Sequence, residues 1–466
     1  MNYTISFLIK YYIKKLIRCL LMSNQNIEFK DSGISYINKI PIHWNTAKVK
    51  NIVKIPVQTG AGEEAQDKHE KSIRYIRISD FDLNGKIKPE VAAYIHYEKG
   101  KNFLIEKGDI LCATAGATVG KTLFFEGLDE PSCYAGYLAK IRVNPNKMLN
   151  TFLLYQMRCQ IMDGFRNFFV KKSTIENISA KTYSNMPIIV PPLNEQKKIA
   201  EFLDKKCEII DKRLSNLERK IKSLKEYKKS LISECVTKGL NPKNKEFKDS
   251  GIAWIGQIPK HWEISKIKYY FNFSSGLNIT KENLIENGIP VISYGQIHSK
   301  ENTGTFIKDS FFRFISQDYL KNKKSLVNKG NFIFADTSED LDGAGNSVFV
   351  NLDLTMFAGY HTIILKNKCN FEFSKFLSYL FQTDLWRSQI RLAVSGVKVF
   401  SITKKILAKC EILVPPLNEQ KEIAEFLDKK CKKIDRLNEN YTKQITTLKE
   451  YKKSLIYECV TGKKEI

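Results

Sequence analysis

The chain contains two copies of one sequence framework. Residues 28–44 (EFKDSGISYINKIPIHW) return at 246–262 as EFKDSGIAWIGQIPKHW, 218 residues later. Residues 190–237 return at 414–461, now 224 residues later, and 34 of these 48 aligned positions are identical without a gap. Such self-similarity indicates a duplicated unit. The 466 residues are therefore expected to fold as two related halves rather than around one core.

The two stretches between the repeated segments are much less alike. Each runs for about 145 to 152 residues, from an HW dipeptide to the next VPPLNEQ. They share only a skeleton: residues 107–110 (KGDI) correspond to 329–332 (KGNF), and Tyr155 corresponds to Tyr379. A near-constant frame thus carries two dissimilar bodies.

A long helix is predicted after each PPLNEQ element. Pro191 and Pro192 cannot lie inside a helix, Asn194 can cap its start, and Gly239 marks its end. Apolar residues then step by four and three alternately, which is the spacing of a coiled-coil seam. The seam comprises Leu203, Cys207, Ile210, Leu214, Leu217, Ile221, Leu224, Lys228, Leu231 and Cys235 in the first helix, and Leu427, Cys431, Ile434, Asn438, Tyr441, Ile445, Leu448, Lys452, Leu455 and Cys459 in the second.

The two seams are expected to pack on each other. Lys228 and Lys452 interrupt the apolar run in both helices, and Asn438 interrupts it in one. Because the same unit recurs, an antiparallel pair with pseudo-twofold symmetry is the natural packing. From Leu203 to Cys235 such a rod is about 45–50 Å long, at ~1.5 Å per residue.

Charge and cysteine usage narrow the function classes. The formal charge of +25 favours a polyanionic partner, either nucleic acid or an anionic membrane surface, although a merely Lys-rich solvated surface is an alternative. Aromatic residues at 11% are sufficient for a folded core. The ten cysteines form no CxxC pair, so no zinc site is indicated, and reduced thiols in the cytosol fit best.

The N-terminal residues 1–21 are apolar but broken by basic residues. No apolar run reaches the ~20 residues that span a bilayer. We expect an upstream extension, with translation beginning at Met22. The alternative is a basic amphipathic helix lying on a membrane.

Residues 115–122 (AGATVGKT) match the loose form of a phosphate-binding loop. A true phosphate loop requires a helix that begins at the Lys, whereas the next residues, TLFFEG, are typical of a strand. The second copy has TSEDLDGAGN at 337–346, without a Lys. We therefore predict a hairpin, and keep as the alternative a nucleotide-hydrolysing site formed by Gly120, Lys121 and Thr122.

This arrangement resembles the specificity subunit of type I restriction-modification enzymes, over essentially residues 28–461. The most specific shared parts are the two PPLNEQ elements, the two DSGI…IP.HW elements and the KGDI…GATVGK stretch. The resemblance implies an α+β fold in which two target-recognition domains of mixed strands and helices are joined by the antiparallel coiled coil. The expected domains are 22–190 and 241–414 for target recognition, with 191–240 and 415–466 as the conserved helices.

The resemblance also implies function and partners. The chain would be a non-catalytic subunit that reads a two-part DNA site, one domain per half-site, and docks two methyltransferase and two restriction (motor-nuclease) subunits. S-adenosylmethionine, ATP and Mg²⁺ would belong to those partners, and no cofactor or metal to this chain. The residues agree, since double prolines occur only in the PPLNEQ elements and no [DN]PP[YF] methyltransferase motif is present.

Site residues are predicted from chemistry and recurrence. Phosphates and base edges attract Arg, Lys and short polar side chains on loops. The DNA-binding candidates are Arg74, Arg77, Lys121, Lys171, Lys172, Ser173, Thr174, Gln296, His298 and Lys398. The subunit-docking candidates are Pro191, Pro192, Asn194, Gln196, Pro415, Pro416, Asn418 and Gln420. His43 and His261, which recur before a Trp, are expected to pack in the frame.

Overall fold

The structure is a computed structural model that describes residues 28–81, 85, 87–88, 91–170, 177–242, 245–252, 254–368, 370–394 and 399–466. The chain divides into two compact units, one up to Leu217 together with Lys443–Ile466, the other Glu218–Thr442. The predicted extension, residues 1–21, lies outside the described residues. Among the described helices, none is both long enough and apolar enough to cross a membrane.

The first unit contains a body of strands and short helices. Its strands are β1 Phe29–Ile34, β2 Ile37–Pro41, β3 Asn45–Lys48, β4 Gln58–Thr59, β5 Ser72–Ile76, β6 Tyr94–His96, β7 Ile110–Ala113, β8 Thr122–Phe124, β9 Ser132–Tyr134, β10 Leu138–Ile141 and β11 Pro187–Val190. Its helices are α1 Tyr97–Gly100, α2 Asn150–Met157, α3 Gln160–Val170 and α4 Ala180–Ser184. One sheet has the order β4-β10-β7-β8 and another the order β6-β5-β9.

The central strands β7 and β10 are buried on both faces, which explains why their side chains are apolar apart from Lys140. Ile110 and Cys112 of β7 face a core that includes Phe152 of α2 and Phe165 of α3. Leu111 and Ala113, which alternate with these two residues along β7, face a second core that is shared with the β6-β5-β9 sheet. The alternation of side chains along a strand thus places helices on one face and the smaller sheet on the other.

The second unit repeats this plan. Its strands are β12 Phe247–Asp249, β13 Gln257–Pro259, β14 Glu263–Lys266, β15 Phe271–Ser275, β16 Ile289–Ile292, β17 Arg313–Ile315, β18 Leu326–Val327, β19 Phe332–Ala335, β20 Thr337–Ser338, β21 Ser347–Phe349, β22 Met356–Ala358, β23 Thr362–Asn367, β24 Phe400–Ser401 and β25 Glu411–Val414. Its helices are α6 Ile267–Tyr270, α7 Tyr294–Ile297, α8 Phe371–Leu380, α9 Asp384–Ala393 and α10 Lys404–Lys409. The sheets β15-β23-β19-β21 and β17-β16-β22-β18 correspond to the two sheets of the first body.

Each body is closed by a pair of frame strands. β3 pairs antiparallel with β11, so that Asn45 lies opposite Val190. β14 pairs in the same way with β25, and Glu263 lies opposite Val414. The frame therefore brings the start and the end of each body together, and the chain then enters a long helix.

The long helices are α5 Leu193–Lys238 and α11 Leu417–Val460. In the first unit, Asp211 of α5 binds Lys452 of α11, and in the second, Lys228 binds Asp435. Within the second unit, Lys220 lies over the ring of Tyr441 and Lys228 binds Asp435, so moving forward along α5 moves the partner backward along α11. Within the first unit, Cys207 interacts with Cys459 and Asp211 with Lys452, which is the same direction. The predicted antiparallel pairing of the two helices is confirmed within each unit.

The seam residues follow the predicted spacing. All of the apolar seam positions are buried or half-buried. In the first unit, Leu203 and Cys207 lie in one core with Leu455 and Cys459. In the second unit, the corresponding core combines residues from both helices, among them Cys235 and Cys431, with residues of the body. Each body is therefore fused to its helical segments through shared apolar packing.

The start of α5 differs from the sequence prediction. The helix begins at Leu193, and the carbonyl of Pro192 accepts the first bonds, from the amides of Glu195 and Gln196 at 3.0 Å. Asn194 therefore lies in the first turn and is not the cap. The predicted end is right, because α5 stops at Lys238 and Gly239 follows with a φ of +76°.

Candidate functional site

The AGATVGKT stretch forms a hairpin. β7 and β8 pair antiparallel, with Ile110 opposite Phe124 and Cys112 opposite Thr122. Between them lies a single 3-10 turn, Gly116–Thr118, and Thr122 begins a strand where a phosphate loop needs a helix. The hairpin prediction is confirmed. The amides that would cradle phosphates in a nucleotide site are not arranged around a helix start here.

Four segments meet beside this hairpin in the first body, and we call them together the loop edge. They are 77–80 after β5, the hairpin connection 114–121, the turn 135–137 between β9 and β10, and residues 177–178 before α4. Backbone hydrogen bonds join them, from Ala135 to Ile76 at 3.0 Å, from Thr114 to Tyr137 at 2.9 Å and from Ile178 to Thr114 at 2.8 Å. The loop edge is therefore held by main-chain contacts that do not depend on side-chain identity.

The second body builds its loop edge with the same bonds. Its segments are 293–296 after β16, the connection 336–346, the turn 359–361 between β22 and β23, and residues 401–403. The amide of Gly359 donates to Ile292 at 2.8 Å, that of Asp336 to His361 at 3.1 Å, and that of Ile402 to Asp336 at 2.7 Å.

The side chains on this common backbone differ between the two bodies. Matching the hydrogen bonds sets Arg77 against Ser293, Asp80 against Gln296, Thr114 against Asp336 and Tyr137 against His361. Asp80 and Thr114 are buried, so the differences that reach the surface are Arg77 against Ser293 and Tyr137 against His361. One scaffold thus presents unlike donors and acceptors in the two bodies.

Arg74 and Arg77, both predicted to bind DNA, have different surroundings. Arg74 is only 4% exposed, and its guanidinium donates to the carbonyls of Ala93 and Val91, each at 2.9 Å. A buried Arg whose guanidinium is bonded to carbonyls of its own domain stabilises that domain. Arg74 is therefore no longer a DNA-binding candidate. Arg77 is half-buried at the loop edge, where its Nη2 lies 2.9 Å from Oδ1 of the buried Asp80.

The remaining basic candidates are only partly described. Lys121 is half-buried at the end of the hairpin connection, directly before β8. Lys171, Lys172, Ser173, Thr174 and Lys398 lie outside the described residues. They precede residues 177–178 and 401–403 in the chain, which belong to the two loop edges.

Gln296 and His298 shape the second loop edge from within. Gln296 Oε1 accepts a hydrogen bond from the Ser293 amide at 2.9 Å. His298 Nε2 donates to the carbonyl of Thr337 at 2.7 Å, and Nδ1 lies 3.1 Å from the Asn346 amide nitrogen, which fixes the proton on Nε2. Both side chains therefore serve to position the loops.

The sequence prediction missed the aromatic side chains of the loop edges. Tyr137 is 42% exposed in the first body, and Tyr360 is 41% exposed and Tyr294 40% in the second. His361 has a φ of +54°, and its Nδ1 lies 2.9 Å from Asp336 Oδ1. In the second body, Tyr360, His361 and Lys404 line a cavity of about 330 Å³. The recurring AGY tripeptide, at 135–137 and 358–360, was the available signal.

The repeated frame holds the helix starts through a carboxylate. Trp44 Nε1 donates to Glu195 at 2.9 Å, and His43 Nε2 lies 3.1 Å from the same carboxylate. In the second unit, Trp262 Nε1 donates to Glu419 at 3.2 Å.

Glu419 has more partners than its counterpart. His261 and Lys245 also bind it. Burial alone would raise the pKa of Glu419, but the hydrogen bonds from Lys245, His261 and Trp262 outweigh it and lower the pKa. The predicted frame role of the two histidines agrees with this arrangement.

The docking candidates fall into two groups. Gln196 is fully buried, accepts a hydrogen bond from the Leu149 amide at 2.7 Å and donates to Pro191 at 2.8 Å. Gln420 is likewise buried and donates to Pro415 at 2.7 Å. The buried members of the set are therefore Pro191, Gln196, Pro415 and Gln420. The exposed members are Pro192, Asn194, Pro416 and Asn418.

Within the described residues, no cluster of three or more His, Cys, Asp or Glu side chains could hold a metal ion. The described cysteines are unpaired and buried. Burial raises the pKa of Cys235 and of Cys431 to about 11, so these thiols stay protonated and behave as small apolar residues.

Comparisons with known proteins agree with this architecture. The profile of the type I restriction modification DNA specificity domain matches residues 41–224 and again 259–447. The chain is 25% identical over 369 residues to the type I restriction enzyme MjaVIII specificity subunit of Methanocaldococcus jannaschii, covering 78% of this chain and 80% of that protein. It is 26% identical over 445 residues to the putative MjaX specificity subunit of the same organism, covering 92% and 95%.

A solved structure shares the fold. It comes from work on complex assembly and conformational transition of the type I R-M system, and it superposes with a TM-score of 0.68 at 16% identity, covering 90% of this chain and 98% of that one. Because the domain profile matches both halves and most of the chain, the protein belongs to the family of type I restriction-modification specificity subunits, the DNA-recognition rather than the catalytic components of these systems.

Proposed function

We propose that this chain reads a DNA site in two separated parts, with one body for each part. The observation that carries the proposal is the loop edge, which has the same backbone hydrogen bonds in both bodies and different side chains. Direct readout of bases depends on the pattern of donors and acceptors that a protein presents. Two unlike sets of donors and acceptors on one scaffold fit two unlike half-sites.

Charge supports DNA as the ligand. The net charge of +25 attracts a polyanion, and contacts to phosphates supply much of the affinity of any DNA-binding protein. Arg77 and Lys121 lie at the first loop edge, and Lys404 borders the cavity at the second. The domains of the proposal are 22–190 and 241–414, and the unread spacer between half-sites is set by the helices of 191–240 and 415–466.

The repeated frame is the proposed docking surface for two methyltransferase subunits. Leu193 and Leu417 are 42% and 51% exposed at the helix starts. Tyr227 and Tyr451 are exposed within the identical sequence KEYKKSLI of each helix. Exposed apolar residues that occur identically in both repeats fit two copies of the same partner.

The wider complex follows from the same proposal. Two restriction subunits complete it, S-adenosylmethionine, ATP and Mg²⁺ are used by the partner subunits, and the complex acts in the cytoplasm. Specific DNA binding then depends on assembly with the methyltransferase subunits.

Sequencing of DNA methylation tests the reading of DNA. A host that expresses this chain with its partner subunits should acquire one adenine-methylated motif with two specified parts separated by unspecified bases. The matched control is the same host lacking only this chain, which should lose the motif. A continuous motif, or no motif although all subunits assemble, would contradict the proposal.

The docking surface has its own test. Tyr227→Ala and Tyr451→Ala should each reduce the number of bound methyltransferase subunits from two to one, and the double variant should bind none, as measured by native mass spectrometry. Ile209→Ala is the control, because Ile209 is exposed on α5 while the second repeat has Lys433 there. Unchanged binding by the double variant would exclude this surface.

A further inference from the structure

The turn between the parallel-paired strand and the central strand carries an exposed tyrosine in both bodies. The turn is 135–137 in the first body and 359–361 in the second, so it has the same length in each. β9 pairs parallel with β5 before the first turn, and β22 pairs parallel with β16 before the second. Tyr137 and Tyr360 thus belong to the same structural element.

Both rings are forced outward by their surroundings. Ala135, the first residue of the first turn, and Leu138, just after it, are fully buried, and Ala358 just before the second turn and Thr362 just after it are buried as well. Tyr137 and Tyr360 nevertheless keep about two-fifths of their surface exposed. A turn anchored in the core on both sides leaves the outward direction for these large rings.

The turns are also fixed in position. A Cβ added at Gly136 would lie 3.1 Å from the carbonyl oxygen of Ala61, and one added at Gly359 would lie 2.2 Å from Ser293 Oγ. The backbone of each turn is therefore packed closely against its neighbours. The carbonyl of Tyr137 accepts from Thr114 at 2.9 Å, and that of Tyr360 accepts from Tyr294 at 3.2 Å.

The chemistry of the phenol suits an anionic ligand. Burial raises the pKa of Tyr137, an effect that the nearby Arg77 reduces without reversing it, so the hydroxyl stays protonated and donates. Tyr360 borders the cavity that Lys404 also lines. The hydroxyl of Tyr137 therefore has Arg77 nearby, and that of Tyr360 shares a cavity with Lys404, which Asp336 also lines.

We propose that Tyr137 and Tyr360 donate hydrogen bonds to phosphates of the DNA backbone, and so anchor each body on its half-site without reading sequence. This inference rests on the proposed function. The reason is the contrast within the loop edge. The accessible positions matched by hydrogen bonding differ, Arg77 against Ser293 for example, whereas a tyrosine is present in both turns, displaced by one residue. A residue type common to two readers of different sequences fits the part of DNA that is common to both, which is its sugar–phosphate backbone.

The test uses the full chain assembled with its methyltransferase partners, in the variants Tyr137→Phe and Tyr360→Phe. Each should weaken binding about tenfold, since one hydrogen bond to a charged group is lost. The loss should be equal for the cognate duplex and for an unrelated duplex, measured by fluorescence anisotropy at one salt concentration. The methylated motif should stay the same.

Two tyrosines at the opposite ends of the same sheets serve as controls. Tyr97 follows β6, next to the start of β5, and Tyr269 precedes β15, next to the end of β23; both are exposed. Tyr97→Phe and Tyr269→Phe should leave the affinity unchanged.

Three results would overturn the inference. They are an affinity equal to that of the controls, a loss confined to the cognate duplex or accompanied by a changed motif, and a loss that appears only in Tyr137→Ala and Tyr360→Ala, which would indicate stacking of the ring. Failure of the proposed function is a separate outcome, because it would appear as a wild-type complex that methylates no two-part motif.

Discussion

The ion pair inside the helical seam offers a quantitative test of how the two long helices are held together. Lys228 Nζ lies 2.7 and 2.8 Å from the two carboxylate oxygens of Asp435. The side chains are 24% and 37% exposed. Lys228→Ala leaves a half-buried carboxylate facing an apolar seam, and the same holds in reverse for Asp435→Ala.

The expected magnitude follows from Coulomb attraction. At an effective dielectric constant of about 40, two unit charges about 3 Å apart attract by about 2.8 kcal/mol. Partial desolvation and the ordering of two side chains remove roughly half of this. We therefore expect a coupling free energy of about 1–1.5 kcal/mol between Lys228 and Asp435, and destabilisation of similar size in each single variant.

A double-mutant cycle measured by hydrogen exchange isolates this coupling. Exchange of the helix amides around Lys228 and Asp435 reports the free energy of local opening in the wild type, both single variants and the double variant. The control cycle uses Glu208 and Lys212, a highly exposed pair within α5, whose coupling should be much smaller because water screens it.

Charge exchange gives the refuting result. The variant Lys228→Asp with Asp435→Lys keeps the pair in reversed order and should recover most of the lost stability. A coupling no larger than that of the control pair, or no recovery after charge exchange, would show that the seam pair does not hold the helices in register.

Two further predictions concern the joints between body and frame. Tyr155 donates to Asp204 and Tyr379 donates to Asp428, each at 2.6 Å. Tyr155→Phe should lower the free energy of unfolding, measured by calorimetry, by about 1–2 kcal/mol. Tyr379→Phe should lower it less, because Lys375 also binds Asp428; equal losses would contradict this. The pKa of Glu419 is lowered from its ordinary 4.5, so its stabilising contribution is complete above that pH and is lost as the pH falls through the lower folded-state value. The melting temperature of Glu419→Gln should therefore lie below that of the wild type at pH 7 and approach it in acid, while the exposed-site variant Glu422→Gln shows no such trend; a difference independent of pH would refute the assignment.

The long helices and the hairpin were predictable because their signals are local. The spacing of Leu203, Ile210 and Leu217 repeats with the period of a helix seam, and a second copy of the seam lies in the same chain. The run after Lys121 is rich in β-branched and aromatic residues, which favours a strand. Comparison of the two copies then favoured the hairpin, and the nucleotide-binding alternative is excluded by the strand that begins at Thr122 in the structure.

Contacts between distant residues were not predictable in this way. Trp44 and Glu195 meet only because β3 pairs with β11 and brings the start of the body to its end. Gln196 looks like an exposed helix-start residue, yet its amide is buried against Leu149 and Pro191. The pairing of strands decides these contacts, and the sequence of neither partner alone reveals it.

Two features of the loop edge misled or escaped sequence reasoning for physical reasons. Arg74 alternates with apolar residues in β5, and its charge suggests the surface, but the carbonyls of residues 91 and 93 close over it and satisfy its guanidinium. Tyr137 and Tyr360 differ by one residue when the bodies are aligned by their hydrogen bonds. A position-by-position comparison of the two copies therefore places Tyr137 and Tyr360 at different positions and does not show them as a shared residue.

Replacement of one body by the other tests most directly the idea that each body reads one half-site. The frame strands give matched boundaries, so residues 45–190 can be replaced by a second copy of residues 263–414. With the partner subunits present, the methylated motif of this chain should consist of the second half-site twice, in inverted orientation, with the original spacing. A motif that keeps its first half-site after the exchange would contradict the assignment of DNA reading to the bodies.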